Sequence, residues 1–235
     1  RRSQTTTPST PPTRSAAPLR SDGRTCEVRR FSIAFDWRQR KRIQAGLEAL
    51  GRRFDMSTEH GMWAATDAAL RLLADAMPTV RAASWSTRRV GPSDAEHTFL
   101  RWSSELESRF KHDVIRGQRP DIRPGAEEGE GFVVVSLVLG STRPWPTMSR
   151  AMTPTSLSNE LRAAGSIGAS SLVAVKVIWS PALDVDRMSS AEMAMLYPEL
   201  LPLTDQPMGR VHCGYCEAPF TAELSECPAC GAPHT

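Results

Sequence analysis

Four cysteines near the end of the sequence, Cys213, Cys216, Cys227 and Cys230, form two C-x-x-C pairs. Two intervening residues let the chain turn back so that both thiols of a pair face one point. The glycine of the first pair and the proline of the second suit such a tight turn. Four thiolates make a soft ligand set that suits zinc better than calcium or magnesium. The spacing therefore predicts a zinc ribbon over residues 209–235.

Other chemistries of paired cysteines stay open on the sequence alone. Disulfides of small secreted modules, redox-active dithiols and a rubredoxin-type iron centre use similar spacings, although two pairs in one short segment favour a shared metal ion. His212 and His234 flank the cysteines as substitute ligands. Four thiols already complete a tetrahedral set and leave no position for an activated water, so we expect a structural zinc ion.

The predicted ribbon is too short to bury the surface that a folded domain needs. Metal binding is therefore expected to supply its folding free energy, about 10–16 kcal/mol for structural zinc. Free thiolates persist best in a reducing compartment. We accordingly expect this part of the protein to lie on the cytoplasmic face of a membrane.

Two groups of carboxylates could suggest an enzyme. Glu127, Glu128 and Glu130 lie in a Gly-rich segment, and Asp184 and Asp186 follow a predicted strand. General acid–base catalysis needs a carboxyl group in a desolvated pocket, whereas both groups have the sequence context of loops. We therefore predict no enzyme activity and no small-molecule substrate.

The most basic part of the predicted domain contains Arg38, Arg40, Lys41 and Arg42. Such a cluster contacts nucleic acid or phospholipid in some proteins, but it is also typical of a solvated helix face. The formal net charge of +3 is mild and does not by itself indicate a nucleic-acid partner. Nucleic-acid binding through the ribbon and the segment Arg38–Arg42 is therefore the alternative prediction.

The chain of 235 residues is long enough for one medium domain and a small appendage. Residues 1–27 are rich in Pro, Ser, Thr and Arg, which predicts a disordered linker. The sequence has no apolar run as long as a membrane helix. Basic residues in the linker suit a membrane tether upstream of Arg1. Cys26, beside the linker, is expected to be a free thiol.

The elements that must position these groups are predicted from periodicity. Phe31–Phe35 is expected to be a short extended segment. Ile43, Leu47, Leu50 and Phe54 form one stripe of an amphipathic helix, and two further helices follow, one near residues 62–77 and one opened by Ser93 and Glu96 at capping-box spacing. After residue 131 we expect a strand, a helix, a strand and a last helix, and Ser189 and Glu192 have capping-box spacing at the start of that last helix. The prediction is thus an α+β domain over residues 28–205, with N-terminal helices before a β-α-β-α unit that forms a small sheet.

The block from Phe132 to Leu203 resembles the family catalogued as domain of unknown function 1517, which occurs in membrane-tethered proteins of cyanobacteria and plastids. The features that carry the resemblance are the strand Val133–Val138, Leu161, the helix end Ala164–Ile167, the strand ending in Trp179-Ser180-Pro181, Met188–Ser190, Glu192 and Tyr197–Leu200. The helical half matches through Asp55, Ser57, Thr58, Gly61 and Ala69–Leu73. The predicted zinc ribbon departs from this family, as does the absence of its Gly-rich anchor region.

The resemblance implies an α+β domain beside a membrane, with a role in membrane organisation or photosynthetic regulation in phototrophs. It implies no catalytic residues, and the photosynthetic role is not transferred to this chain. Together with the predicted ribbon, it leads us to expect a non-enzymatic, zinc-binding interaction or scaffold protein. Its partner is expected to be another protein.

Overall fold

The computed structural model of the protein describes residues 25–117, 131–149, 151–181, 188–203, 210–216, 218–221 and 226–233. The strands are β1 (Cys26–Asp36), β2 (Val80–Val90), β3 (Phe132–Ser141), β4 (Leu172–Ser180), β5 (Leu201–Pro202), β6 (Arg210–His212) and β7 (Pro219–Thr221). The helices are α1 (Arg40–Arg53), α2 (Glu59–Asp75), α3 (Pro92–Gly117), α4 (Pro154–Gly165) and α5 (Ser190–Leu196).

Strands β1 to β5 form one antiparallel sheet in the order β4-β3-β1-β2-β5. β5 is short and pairs only with Ala82 and Ala83 of β2. Strands β6 and β7 form a separate antiparallel hairpin in the terminal segment. The α+β class is confirmed.

Side chains alternate along each strand, so apolar residues lie on both faces of the large sheet. Helices cover both of these faces. Phe31, Ile33 and Phe35 of β1 pack with residues of α1, α2 and α4 on one face. Val28 and Ala34 point to the other face, where they pack with residues of α3. β1 is therefore buried on both sides and forms the centre of the domain.

The sheet is larger than the sequence predicts, and it begins before the first helix. The predicted extended segment Phe31–Phe35 is the middle of β1, which starts at Cys26, inside the segment expected to be a linker. β2 was not predicted at all, since its Ala, Ser and Arg residues show no clear apolar alternation. Small side chains and paired charges allow this strand to be packed closely, which periodicity does not detect.

Helix starts illustrate what local signals can decide. At α5 the predicted capping box is confirmed, because the Ser189 side chain accepts from the Glu192 N–H and the Glu192 carboxylate accepts from the Ser189 N–H. The similar spacing at Ser93 and Glu96 does not mark a cap, since α3 already begins at Pro92. Proline suits the first turn of a helix, where its missing N–H costs nothing.

Candidate metal centre

The two C-x-x-C pairs are folded by two turns with the same hydrogen-bonding pattern. In the first turn the N–H of Cys213 donates to the carbonyl of Ala218 at 3.0 Å. In the second the N–H of Cys227 donates to the carbonyl of Ala232 at 2.8 Å. Gly231 has a φ of 70°, a left-handed conformation that favours glycine. The hairpin β6–β7 holds the first turn, with Val211 opposite Phe220.

The turns bring the sulfurs of Cys213, Cys216, Cys227 and Cys230 to within 4.8 Å of one another. The shortest approaches, Cys213 to Cys230 and Cys216 to Cys227, are both 3.5 Å. A disulfide bond would be about 2.05 Å long, and all four cysteines are free. Sulfurs at zinc–thiolate bond length around a tetrahedral ion are about 3.8 Å apart. The four predicted residues thus form one cluster that could hold a metal ion.

The backbone prepares one of these thiols for ionisation. Burial raises the pKa of Cys213, but hydrogen bonds with the N–H groups of Cys216 and Tyr215 and with the Cys230 and Cys216 thiols together outweigh burial and lower that pKa to about 7. Burial raises the pKa values of Cys216 and Cys227. Thiolates rather than thiols bind metals, so a cation in the cluster would stabilise the charged form of the thiols that burial keeps neutral.

The cluster has little apolar support. Cys213, Cys227, Ala218 and Phe220 are the buried residues that form the small core of the terminal segment. Such a core is too small to hold two turns together by burial alone, which agrees with a fold that depends on a bound ion.

The terminal segment contacts the sheet domain at β2. The guanidinium of Arg88 donates a hydrogen bond to the backbone carbonyl of Tyr215, in the first cysteine turn. β7 also lies against β2. The Tyr215 side chain itself is 70% exposed. The first cysteine turn is therefore attached to the domain by its backbone and presents an aromatic ring to solvent.

The other predicted candidates are placed as follows. Glu127, Glu128, Glu130, Asp184, Asp186 and His234 lie outside the described residues, as does the side chain of His212. Cys26 is buried at the start of β1 and forms no disulfide bond.

The predicted basic cluster is divided by the fold. Arg40 is buried and donates to Gln44 at 3.0 Å, while Arg38 is exposed and pairs with Asp36 at 3.2 Å. Burial opposes ionisation of Asp36, but hydrogen bonds from the Arg38 N–H and the Arg81 side chain outweigh it and lower the pKa of that carboxyl. The segment therefore exposes fewer cations than its sequence suggests.

Sequence reasoning missed a buried ion-pair network at the start of β1. The Glu27 carboxylate accepts from Arg29 and Thr87 on one oxygen, both at 2.8 Å, and from Arg89 at 2.9 Å and the Trp145 N–H at 3.2 Å on the other. Glu27 and Arg29 are completely buried. The alternation of charges in "CEVRRF" was the available signal, but its position beside the linker concealed it.

Arg29 extends this network to α4. Its guanidinium donates to Glu160 at 3.2 Å and to the Pro146 carbonyl. Burial raises the pKa of Glu160, opposed by the Ser149 N–H and by Arg29. The network joins β1, β2, the segment after β3 and α4, so its evident role is to hold the sheet domain together.

Comparison with known proteins identifies the family. The family described as protein of unknown function (DUF1517) matches residues 25–203, which is most of the chain. The chain therefore belongs to this family, and the resemblance predicted from its sequence is confirmed. The match ends before β6, so the cysteine cluster lies beyond the matched residues.

One similar protein is the Arabidopsis thaliana protein named FLUCTUATING-LIGHT-ACCLIMATION protein 1, chloroplastic. It is 28% identical to this chain over 184 residues, which are 69% of the chain and 46% of the relative. The chain thus spans about half the length of this relative. No solved structure matches the chain. Among the described residues, no helix combines the length and apolar character needed to span a membrane.

Proposed function

We propose that this protein is a non-enzymatic, zinc-binding interaction or scaffold protein, in which the zinc-loaded ribbon serves as a docking surface for a protein partner. The observation that supports the proposal most directly is the convergence of four cysteine sulfurs beneath an exposed aromatic side chain. All four positions around the ion are filled by the protein, which is the arrangement of structural rather than catalytic zinc sites.

Zinc is the proposed ion because the ligands are four thiolates. Soft sulfur ligands in a tetrahedral set suit zinc, whereas calcium and magnesium require oxygen ligands. Elemental analysis of protein purified without chelators is expected to give one zinc per chain. A stoichiometric iron content, with the absorption of an iron–thiolate centre, would replace zinc by a rubredoxin-type site. Protein that is purified in reducing buffer and contains neither zinc nor iron would contradict the proposal.

The docking role rests on the surface that surrounds the ion. Tyr215 stands at the tip of the first cysteine turn, and Pro228 and Ala229 are exposed in the second. Tyrosine is enriched at protein interfaces because its ring offers a large apolar area and its hydroxyl a hydrogen bond. The metal fixes the backbone beneath these residues, so the surface is ordered before a partner arrives.

Affinity capture from a lysate of the source cells tests the docking role. The bait is the zinc-loaded chain, and the matched variants are Tyr215→Ala, which changes only the exposed tip, and Cys213→Ser with Cys227→Ser, which removes two ligands. We expect proteins captured by the parent chain to be depleted with both variants. Leu100→Ala is the control, since Leu100 is an exposed apolar residue on α3. If both ribbon variants captured the same proteins as the parent chain, the docking role would be contradicted.

We further propose that the protein works beside a membrane, tethered through residues preceding this chain, with the ribbon on the cytoplasmic, reducing face. The proposal is supported by the thiolate ligands, which persist in reducing compartments, and by the Arg-rich linker. Fractionation of the full-length protein tests it. Recovery in membranes after a salt wash, with release of the ribbon by a protease added to the cytoplasmic side, is the expected result. Recovery in the soluble fraction would overturn the tether.

A further inference from the structure

Helix α1 concentrates the positive charge of this protein. It reads "RKRIQAGLEALGRR" and contains five basic residues and one acidic residue, a net charge of +4. The whole chain has a net charge of only +3, so the residues outside α1 together contain one more acidic than basic residue. A surface of this protein that attracts anions is therefore expected at α1.

The charged residues of α1 lie on the side of the helix that faces solvent. Four of its basic residues are exposed, namely Lys41, Arg42, Arg52 and Arg53. With 3.6 residues per turn, these four project within about 120° of the helix circumference. Ala45 and Ala49 are exposed between them, and the buried residues Ile43 and Leu47 lie on the opposite side. The four cations and the two alanines together form the basic face of α1.

The cations of the basic face have few partners. Arg52 pairs with Glu48 at 3.6 Å at the surface. Lys41, Arg42 and Arg53 form no ion pair with any residue that the structure describes. A helix face that is merely solvated commonly mixes acidic and basic residues at i,i+4 spacing, which lowers its net charge. The basic face does so at one pair only, so most of its charge remains available to a partner.

The neighbouring helix α2 confines this charge to α1. α2 packs beside α1 and contains three acidic residues and one basic residue, a net charge of −2 with histidine neutral. Its Arg71 pairs with Asp67 at 2.9 Å within the helix. Among the described residues, no ion pair joins α1 to α2. An anionic partner is attracted by α1 and repelled by α2, so its contact is one helix wide.

The composition of the basic face favours a lipid surface over a nucleic acid. The face carries no aromatic side chain on which a base could stack and no exposed amide that could read a base edge. Its cations form two pairs about 16 Å apart along the helix axis. The alanines between the pairs are small, so the face is flat. A flat row of cations matches the plane of anionic headgroups at a bilayer surface.

We propose that the basic face of α1 lies against the anionic headgroups of a lipid membrane. Each Lys or Arg near such a surface strengthens association about fivefold, and a tether that keeps the domain close adds to this attraction. Ile43 and Leu47 remain in the core of the domain, so the helix does not enter the hydrocarbon layer. This inference rests on the proposed placement beside a membrane, and it identifies the side of the domain that faces the lipid.

Vesicle sedimentation tests the proposal on the zinc-loaded chain of 235 residues, so that no upstream tether contributes. We expect the chain to bind vesicles that contain phosphatidylglycerol and not vesicles of phosphatidylcholine alone. Binding should be lost in 1 M salt, where the Debye length falls to about 3 Å. Equal binding to both kinds of vesicle would overturn the proposal, as would a lack of binding to anionic vesicles at low salt.

A pair of substitutions removes half of the basic face. Lys41→Gln with Arg42→Gln should weaken vesicle binding about 25-fold, because two cations are lost. The matched control is Arg101→Gln with Arg143→Gln, which removes the same charge from exposed positions outside α1. The arginine-rich residues 1–24 are present in every variant, so the difference between the two pairs reports the basic face. Equal losses in both pairs would assign binding to net charge and overturn the proposal.

One further substitution should strengthen binding. Glu48 is the single acidic residue of α1. Glu48→Gln removes its repulsion of anionic headgroups and should raise vesicle affinity about fivefold. A variant that fails to fold would not bind more tightly, so a gain cannot result from unfolding. Unchanged or weaker binding of a variant whose thermal unfolding matches that of the parent chain would contradict the proposal.

The remaining outcomes separate this inference from the proposed tether. Full-length protein that fractionates with membranes, together with a chain that does not bind anionic vesicles, would reject the basic face and keep the tether. Vesicle binding by the chain, together with full-length protein in the soluble fraction, would support the basic face and reject the tether. Binding of duplex DNA that is lost with Lys41→Gln and Arg42→Gln, without vesicle binding, would assign the face to nucleic acid and overturn the proposal.

Discussion

The sheet domain and the terminal ribbon of this protein are stabilised by different physical means. In the domain, side chains from four strands and four helices bury two apolar clusters among the described residues, one on each face of β1. Among the described residues of the ribbon, four form the buried core, and two of them belong to the cysteine cluster. Burial of apolar surface is expected to be sufficient for the first region, whereas we expect the second to need a bound ion.

Because they are stabilised differently, the two regions should respond to different conditions. The domain should remain folded under every solution condition in which its apolar core stays buried from water. The ribbon should respond to metal supply, to thiol oxidation and to acid, because protons compete with the ion for the thiolates. A docking surface built on such a ribbon is present only when the ion is bound.

Removal of the metal ion is expected to give the largest difference between the two regions. A chelator is expected to unfold the ribbon, with loss of amide protection at Cys213, Cys227 and Gly231, because the ion contributes about 10–16 kcal/mol to a structural zinc fold. Amides of β1 and β3 should keep their protection in the same hydrogen-exchange experiment. Loss of protection in both regions would show that they form one cooperative unit and would end the comparison.

The buried ion network tests the domain alone. Arg29→Ala leaves Glu27 and Glu160 without their shared cation, and removal of one partner from a buried pair costs about 3–5 kcal/mol. Urea unfolding followed by tryptophan fluorescence measures this loss. Arg52→Ala is the matched control, since Arg52 pairs with Glu48 at the surface and the change should cost about 0–1 kcal/mol. Equal losses would mean that the network does not stabilise the domain.

A variant with a cavity in the apolar core tests whether the domain and the ribbon fold independently. Leu137 of β3 is completely buried, and Leu137→Ala should lower the free energy of unfolding by about 2–5 kcal/mol. The variant should bind as much zinc as the parent chain, because the contacts that the structure describes between the ribbon and the domain lie at β2. Zinc loss from a variant that is still folded would indicate coupling through the sheet.

The contact between the regions gives the smallest expected effect. Arg88→Ala removes the hydrogen bond to the Tyr215 carbonyl and should weaken ribbon attachment by about 1 kcal/mol, the usual net contribution of one hydrogen bond. Backbone nitrogen relaxation should show faster local motion of the ribbon while the zinc content stays at that of the parent chain. Arg81→Ala, on the same strand, is the control because Arg81 pairs with Asp36 instead. Zinc release caused by Arg88→Ala would contradict this estimate.

Local signals predicted those parts of the fold whose stability depends on near neighbours in sequence. The stripe of Ile43 and Leu47 in α1, the capping box of Ser189 and Glu192 and the apolar strand β3 are all confirmed. β2 escaped prediction because its burial depends on β1, and β1 was placed too late because charges at Glu27 and Arg29 resemble a linker. The free-energy cost of burying these charges is offset by ion-pair partners that are distant in sequence, and no local pattern shows those partners.

The sequence by itself determined that four thiols would converge, because the spacing within each C-x-x-C pair and the turn residues act over a few bonds. It also determined the α+β class and the family, through the strand and helix patterns of residues 132–203. Only the tertiary structure decided that β1 is the central strand, that Glu27 and Glu160 share the buried cation of Arg29, and that an apolar crevice lies between α1, α2 and β4. These features join residues that are far apart along the chain, and only folding sets the distances between them.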